Sequence, residues 1–372
     1  MIPLNQNLSS LRRSPIRVFT NLARSTPGCI SLALGEPDFD TPEAIKASAA
    51  AALAENRTHY APNQGTESLR RAIADLEQVK PEQVLVTVGA TQALFTALLG
   101  ILNPGEELIV PTPGFGLYES IATVAGARVV PLDITKTGFQ IDKAALEAAI
   151  TPKTKALILN SPHNPTGVIF SQETMDAVKE VLLSKDIFLI CDNVYQGLSE
   201  PGCPDLSKDN DLRQQIILCQ SFSKPWAMTG WRIGYLVCPE YVMDRLLLLS
   251  AATITAVPTF LQEAAVTALA TEPREMKEVY ARRRTYVSHR LRAMGLSFPE
   301  PEGAFYVFAD IQKFRIPSEE FCTRLIREAG VAAVPGSCFG SEGFIRLSYC
   351  CSDADLEEGL NRLEAFIRLL PL

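Results

Sequence analysis

The chain is poor in histidine, carries no excess of positive charge and has no apolar run long enough to cross a bilayer. Each absence removes a class of function. Only three histidines occur, His59, His163 and His289, and the nine cysteines lie scattered at 29, 191, 203, 219, 238, 322, 338, 350 and 351. No C-x-x-C or H-E-x-x-H spacing results, so no metal site is expected. The formal net charge of -7 over 372 residues, with no basic run that stands out, leaves no global electrostatic footprint for nucleic acid or an anionic membrane. The amino terminus, "MIPLNQNLSSLRRSPIRVF", lacks the continuous apolar core of a signal peptide. Internal repeats and low-complexity linkers are missing too. Several cysteines sit inside apolar runs such as "IFLIC" and "IILC", which reads as buried free thiols in a reducing cytoplasm. A small-molecule partner is what these absences leave.

What is present is 47% apolar residues, enough for a sizeable core, so one large domain with a smaller one is the expectation. Short β-rich runs, "QVLVTV", "EELIV", "ARVVPL", "KALILN", "IFLICD", "QIILCQ" and "RIGYLV", alternate with helical patterns such as "TQALFTALLGIL" and "QETMDAVKEVLLS". Several runs are almost wholly apolar, the mark of strands buried on both faces, so an α/β fold with a mainly parallel, helix-covered sheet follows. From about residue 274 a long charged helix leads into "GAFYVFADI", a helix over "SEEFCTRLIREAG", the strands "VAAVPG" and "FIRLSY" and a terminal helix, which reads as a smaller α+β domain. The expected division is 1–40 as an N-terminal segment joining the small domain, 41–273 as the large domain and 274–372 as the small C-terminal domain.

In open parallel sheets ligands sit beyond the carboxyl ends of the strands. The residues that follow the apolar runs are Gly89, Ala90 and Thr91, then Asn160 and Asn164, then Asp192 and Tyr195, then Ser221, Ser223 and Lys224. Each has an ordinary explanation. A glycine before a helix is common turn chemistry, a lysine is usually solvated, and an aspartate at a strand end is often a cap. Yet Asp192 follows four apolar residues and needs a partner if buried. Lys224 stands among Phe222, Pro225 and Trp226, where shelter lowers an amine's pKa and makes it a nucleophile towards carbonyls. Arg232 beside two serines and a helix start would complete an anion cup. Together these ask for a cofactor with a phosphate, a basic ring nitrogen and an aldehyde, which is pyridoxal 5'-phosphate.

The motifs "SLALGEPDFDTP", "THYAPNQGTESLR", "NSPHNPTG", "ICDNVY", "SFSKPWAMTGWRIGY", "GAFYVF" and "IRLSY" resemble, in order from about residue 31 to 349, those of class I pyridoxal-phosphate-dependent aminotransferases of fold type I. The resemblance is strongest to the bacterial aromatic, aspartate and PatA-type subgroup. It implies a seven-stranded large-domain sheet and a homodimer with shared active sites. It also implies site roles: Lys224 as covalent anchor and base, Asp192 on the ring nitrogen, Asn164 and Tyr195 on the phenolic oxygen, and Phe115 on the ring face. Ala90, Thr91, Ser221, Ser223 and Arg232 would hold the phosphate, with Tyr60 reaching it from a partner subunit. Arg346, helped by Asn164 and the backbone at Gly35, would grip the substrate α-carboxylate.

Two positions depart from the pattern. Asn193 replaces a frequent glutamate, with its side chain expected to point away from the ring. Thr91 stands where dicarboxylate-preferring relatives carry a lysine. Ile16, Phe19 and Phe115 suggest an apolar side-chain pocket that suits aromatic, methionine-like, alanine or N-acylated diamino acid donors alike. The implied activity is transfer of an α-amino group to a 2-oxo acid by a ping-pong mechanism, with 2-oxoglutarate/glutamate as one pair. A C-S β-lyase of the same fold is the alternative. A non-catalytic effector domain of a transcription regulator is disfavoured, because no basic DNA-binding module precedes "SLALGEPDF".

Overall fold

The apolar runs between residues 84 and 237 become seven strands in the computed structural model, which describes residues 2, 5–11, 15–199 and 202–371. These are β1 (Val84–Thr87), β2 (Glu107–Thr112), β3 (Arg128–Asp133), β4 (Thr154–Asn160), β5 (Phe188–Asp192), β6 (Ile216–Ser221) and β7 (Gly234–Val237). They lie in the order β1-β7-β6-β5-β4-β2-β3, and only β7 runs antiparallel to its neighbours. Period-two alternation explains why the runs are apolar throughout. Ala156 and Ile158 of β4 enter one core with Ile190 and Ile217, while Leu157 and Leu159 enter the other with Leu189 and Leu218. Both faces are covered, as the sequence implied. The parallel arrangement has a consequence for chemistry: the carboxyl ends of β1, β4, β5 and β6 share one edge. In register along it, Thr87 and Ser221 both pair with Gly234, and Asn160 pairs with Asp192.

The C-terminal part carries a three-stranded antiparallel sheet with β8 (Tyr306–Asp310), β9 (Val334–Pro335) and β10 (Phe344–Ser348) in the order β9-β10-β8. The helices Arg274–Ala293, Ser318–Ala329 and Asp353–Arg368 accompany it. Near the other end of the chain, Ile30–Ser31 pairs in parallel with Val331–Ala332, and the helix Pro15–Ser25 packs on Ser318–Ala329. The turn Gln6–Ser10 lies against the helix Leu117–Ala125, where Asn7 Nδ2 donates to the Val124 carbonyl at 3.2 Å.

Two sequence expectations change. "VAAVPG" is not one strand: Val331–Ala332 joins Ile30–Ser31, Val334–Pro335 joins β10, and Ala333 is the corner between the two sheets. The cysteines are not uniformly buried either, since Cys29, Cys203 and Cys351 are partly exposed; none of the nine forms a disulfide. Among the described residues no helix is long and apolar enough to cross a membrane, and no cluster of three or more His, Cys, Asp or Glu could hold a metal ion.

Candidate active site

The helix Gly89–Ile101 starts directly after β1, and Gly89 takes a φ of +69°. A Cβ there would lie 2.7 Å from Arg232 Nη2, so the close approach of the guanidinium to the helix start depends on glycine. Ala90 and Thr91 occupy the first turn, where backbone N–H groups are left without helical partners. Ser221, the last residue of β6, donates its hydroxyl to Ser223 Oγ at 2.8 Å and accepts the Ser223 N–H at 3.0 Å. Arg232 sits in the left-handed region at φ 54° just before β7 and donates Nη1 to the Thr229 carbonyl at 2.9 Å. Helix start, hydroxyls and guanidinium make a cup suited to a dianion.

Next along the edge is Asp192, 4% exposed at the end of β5. Its Oδ2 accepts a hydrogen bond from Tyr118 at 2.6 Å, and its Oδ1 is buried and accepts none among the described residues. Burial pushes the carboxyl up to about 6, against the pull of Tyr118, of the Val194 backbone N–H and of the Lys224 charge. An unpartnered carboxylate oxygen in a dry site is costly unless a cationic donor meets it, so it suits a protonated ring nitrogen. The Lys224 amine donates to the Gly35 carbonyl at 2.6 Å and stands 5.9 Å from the Phe305 ring centroid. Burial lowers its pKa to about 8, and the Arg346 and Arg232 charges add to the effect. An amine of that kind is a competent nucleophile near neutrality. Acid, amine and anion cup are the three fixtures that pyridoxal phosphate requires, and the donor set fits it.

Asn160 ties this region to the substrate side, donating Nδ2 to the Asp192 carbonyl at 2.7 Å and accepting the Asn164 N–H at 2.9 Å. Asn164 Oδ1 accepts from Arg346 Nη1, and the Ala33 carbonyl accepts from Nη2, both at 2.9 Å. Arg346 is 3% exposed, lies between the rings of Tyr306 (4.2 Å) and Phe339 (4.9 Å), and keeps a buried Nε without a partner among the described residues. A planar cation held on both faces offers a fork for a carboxylate. Tyr195 is buried and its hydroxyl is 3.0 Å from that of Tyr306. Phe115 is half-buried, edge-on to Tyr118 at 5.9 Å, and the neighbouring Gly114 N–H donates to the Phe339 carbonyl at 2.9 Å.

The structure thus gathers Lys224, Asp192, Asn164, Tyr195, Phe115, Gly35, Arg346 and the anion cup at one edge. Tyr60 lies apart on the surface, 88% exposed in the single chain. Asn193 points away, as expected, donating to Gln196 and Asp205 at 3.1 Å. Phe19 is a core residue packed with the C-terminal part, and Ile16 lies beside it. Sequence reasoning assigned no role to Tyr118, Asn160, Tyr306 or Phe339. Asn160 was marked by its place at a strand end, whereas Tyr118, Tyr306 and Phe339 carried no local signal.

The family model described as "Aminotransferase class I and II" matches residues 27–363. The chain is 39% identical to a probable N-acetyl-LL-diaminopimelate aminotransferase of Bacillus subtilis, over 98% of this chain and 95% of that protein. It is 36% identical to an aromatic-amino-acid aminotransferase of Thermococcus litoralis, over 98% of each. The solved aspartate aminotransferase of Thermus thermophilus with maleate superposes with a TM-score of 0.93 at 34% identity, covering 98% of this chain and all of that one.

Proposed function

The chain belongs to the class I and II aminotransferases, which use pyridoxal phosphate, and from that premise we propose that it works in two half-reactions at one site, with 2-oxoglutarate/glutamate as one substrate pair. The observation that carries the site reading is the buried, unpartnered Oδ1 of Asp192 beside a lysine whose amine is easily deprotonated. Bound there, pyridoxal phosphate supplies an aldehyde carbon for the amino group and a ring that withdraws electrons from the substrate α-carbon.

The rest is the work of the chain's own residues. Ala90, Thr91, Ser221, Ser223 and Arg232 bind the phosphate. Asp192, ionised at neutral pH, keeps a proton on the ring nitrogen. Asn164 and Tyr195 address the phenolic oxygen, and Phe115 covers a ring face. Arg346, with Asn164 and the backbone at Gly35, orients the substrate carboxylate. Lys224 Nζ accepts the proton that leaves the α-carbon.

Residues 41–273 form the cofactor-binding unit in this reading, and 274–372 with the N-terminal 1–40 form the smaller one, supported by the pairing of Ile30–Ser31 with Val331–Ala332. The exposure of Tyr60 fits a homodimer in which it reaches a partner's phosphate. Nine cysteines without a disulfide fit a reducing cytoplasm. The β-lyase alternative is not favoured, because the relatives reported above are aminotransferases. Replacing Lys224→Ala tests the assignment: covalent cofactor absorbance disappears and transamination falls on the order of a thousand-fold. A variant that keeps both removes Lys224 from the site.

A further inference from the structure

Side chains alternate along β8, so Tyr306 and Phe308 share a face and meet Ser348 and Arg346 of β10 in register. The Tyr306 ring therefore lies diagonally under Arg346, its centroid 4.2 Å from the guanidinium carbon. The ring meets that of Tyr195 edge to face with centroids 5.6 Å apart, and the two hydroxyls are 3.0 Å from each other. The Tyr306 hydroxyl also fills the space into which a Cβ on Gly35 would project, and the Gly35 carbonyl accepts the Lys224 amine at 2.6 Å. One phenol thus touches Tyr195, Arg346 and the backbone that holds Lys224. A tyrosine buried in a strand is ordinarily core, and for packing alone the ring suffices. The hydroxyl needs another explanation.

The direction of the phenol-phenol hydrogen bond follows from the arginine. Burial raises both tyrosines and the Arg346 charge opposes the rise at both, yet Tyr195 still ends well above its ordinary value, while the guanidinium lies directly over the ring of Tyr306. Of two phenols the more acidic is the better donor, which favours the Tyr306 O–H donating to Tyr195. The Tyr195 proton is then left to point at another acceptor, and a phenol that accepts a hydrogen bond donates more strongly.

We infer that Tyr306 is a positioning residue with two tasks: its hydroxyl aims and strengthens Tyr195 as a donor to the cofactor's phenolic oxygen, and its ring holds Arg346 for the substrate carboxylate. The inference rests on the placement of Tyr195 in the proposed site. A donor at that oxygen draws electron density from the ring system, which lowers the pH at which the lysine-bound cofactor loses its proton. Weakening the donor raises that pH.

The test is a pH titration of the visible absorbance of holoenzyme carrying pyridoxal phosphate, for wild type, Tyr306→Phe, Tyr306→Leu and Tyr195→Phe, with donor KM measured on each. Tyr306→Phe shifts the midpoint upward by about one pH unit, the worth of one weakened hydrogen bond to a charged acceptor. Tyr195→Phe shifts it upward further. Tyr306→Leu, which also removes the ring beneath Arg346, raises donor KM on the order of tenfold beyond Tyr306→Phe. A Tyr306→Phe midpoint that is unmoved or lower, while Tyr195→Phe shifts upward, overturns the role of Tyr306 alone. An unmoved Tyr195→Phe midpoint overturns the placement of Tyr195 and this inference with it. Equal donor KM values for Tyr306→Phe and Tyr306→Leu remove the second task.

Discussion

Lys224 shows how far single residues can be read. Its neighbours Phe222, Pro225 and Trp226 announced shelter, and the folded chain gives it an amine whose pKa burial brings to about 8. A lowered lysine pKa means that the free base predominates above about pH 8, where an ordinary lysine is still protonated. The rate at which apoenzyme takes up pyridoxal phosphate covalently is therefore expected to climb through pH 8 and level off above it, as followed by stopped-flow absorbance. A rate still rising steeply between pH 9 and 10 contradicts the sheltered amine. The strand-end residues were legible because position alone marks them. Tyr118 and Tyr306 were not, because each acts through a partner far away in sequence: 74 residues separate Tyr118 from Asp192 and 111 separate Tyr195 from Tyr306. No local pattern announces such a pair.

Among the elements, strands buried on both faces were the easiest to find, since a run with no polar alternation has few alternative explanations. The short pieces were harder. Two-residue strands such as Val331–Ala332 and Val334–Pro335 exist only through partners elsewhere in the chain, and "VAAVPG" carries no mark of its corner. The long helix Arg274–Ala293 read from its sequence as highly charged, yet it buries Arg283. That guanidinium donates to Asp38 at 2.8 Å and Asp353 at 2.6 Å, and so joins the loop just after Gly35 to the start of the terminal helix. Its two carboxylate partners differ: the Asp38 side chain is 23% exposed and that of Asp353 63%. Arg283→Met is expected to cost about 2–4 kcal/mol of stability, because it strands the less exposed carboxylate. Asp353→Asn should cost about 1 kcal/mol or less. Urea denaturation midpoints check both, and an Arg283→Met midpoint equal to wild type contradicts the tie.

For the whole molecule, fold and site explain each other. A mainly parallel sheet sends the ends of β1, β4, β5 and β6 to one edge, which is why residues from 89 to 224 in sequence meet there. The C-terminal part sets Arg346 and Tyr306 against that edge, reaching Asn164 and Tyr195. The order of the motifs along the chain made this architecture legible. The contact between the parts was not, since it depends on how two sheets face each other. The identity of the amino donor was not legible in the sequence, because two of the residues read as lining its pocket, Ile16 and Phe19, pack with the core instead.

The central claim is that these groups transfer an amino group and stop, rather than eliminate. Purified holoenzyme mixed with a panel of amino acids, without any 2-oxo acid, tests it directly through the cofactor spectrum and assays for pyruvate and ammonia. The account predicts one 2-oxo acid released per site, conversion of the cofactor to its amine form, and glutamate among the active donors. Continuous release of pyruvate and ammonia, with the cofactor's starting spectrum retained, would contradict it.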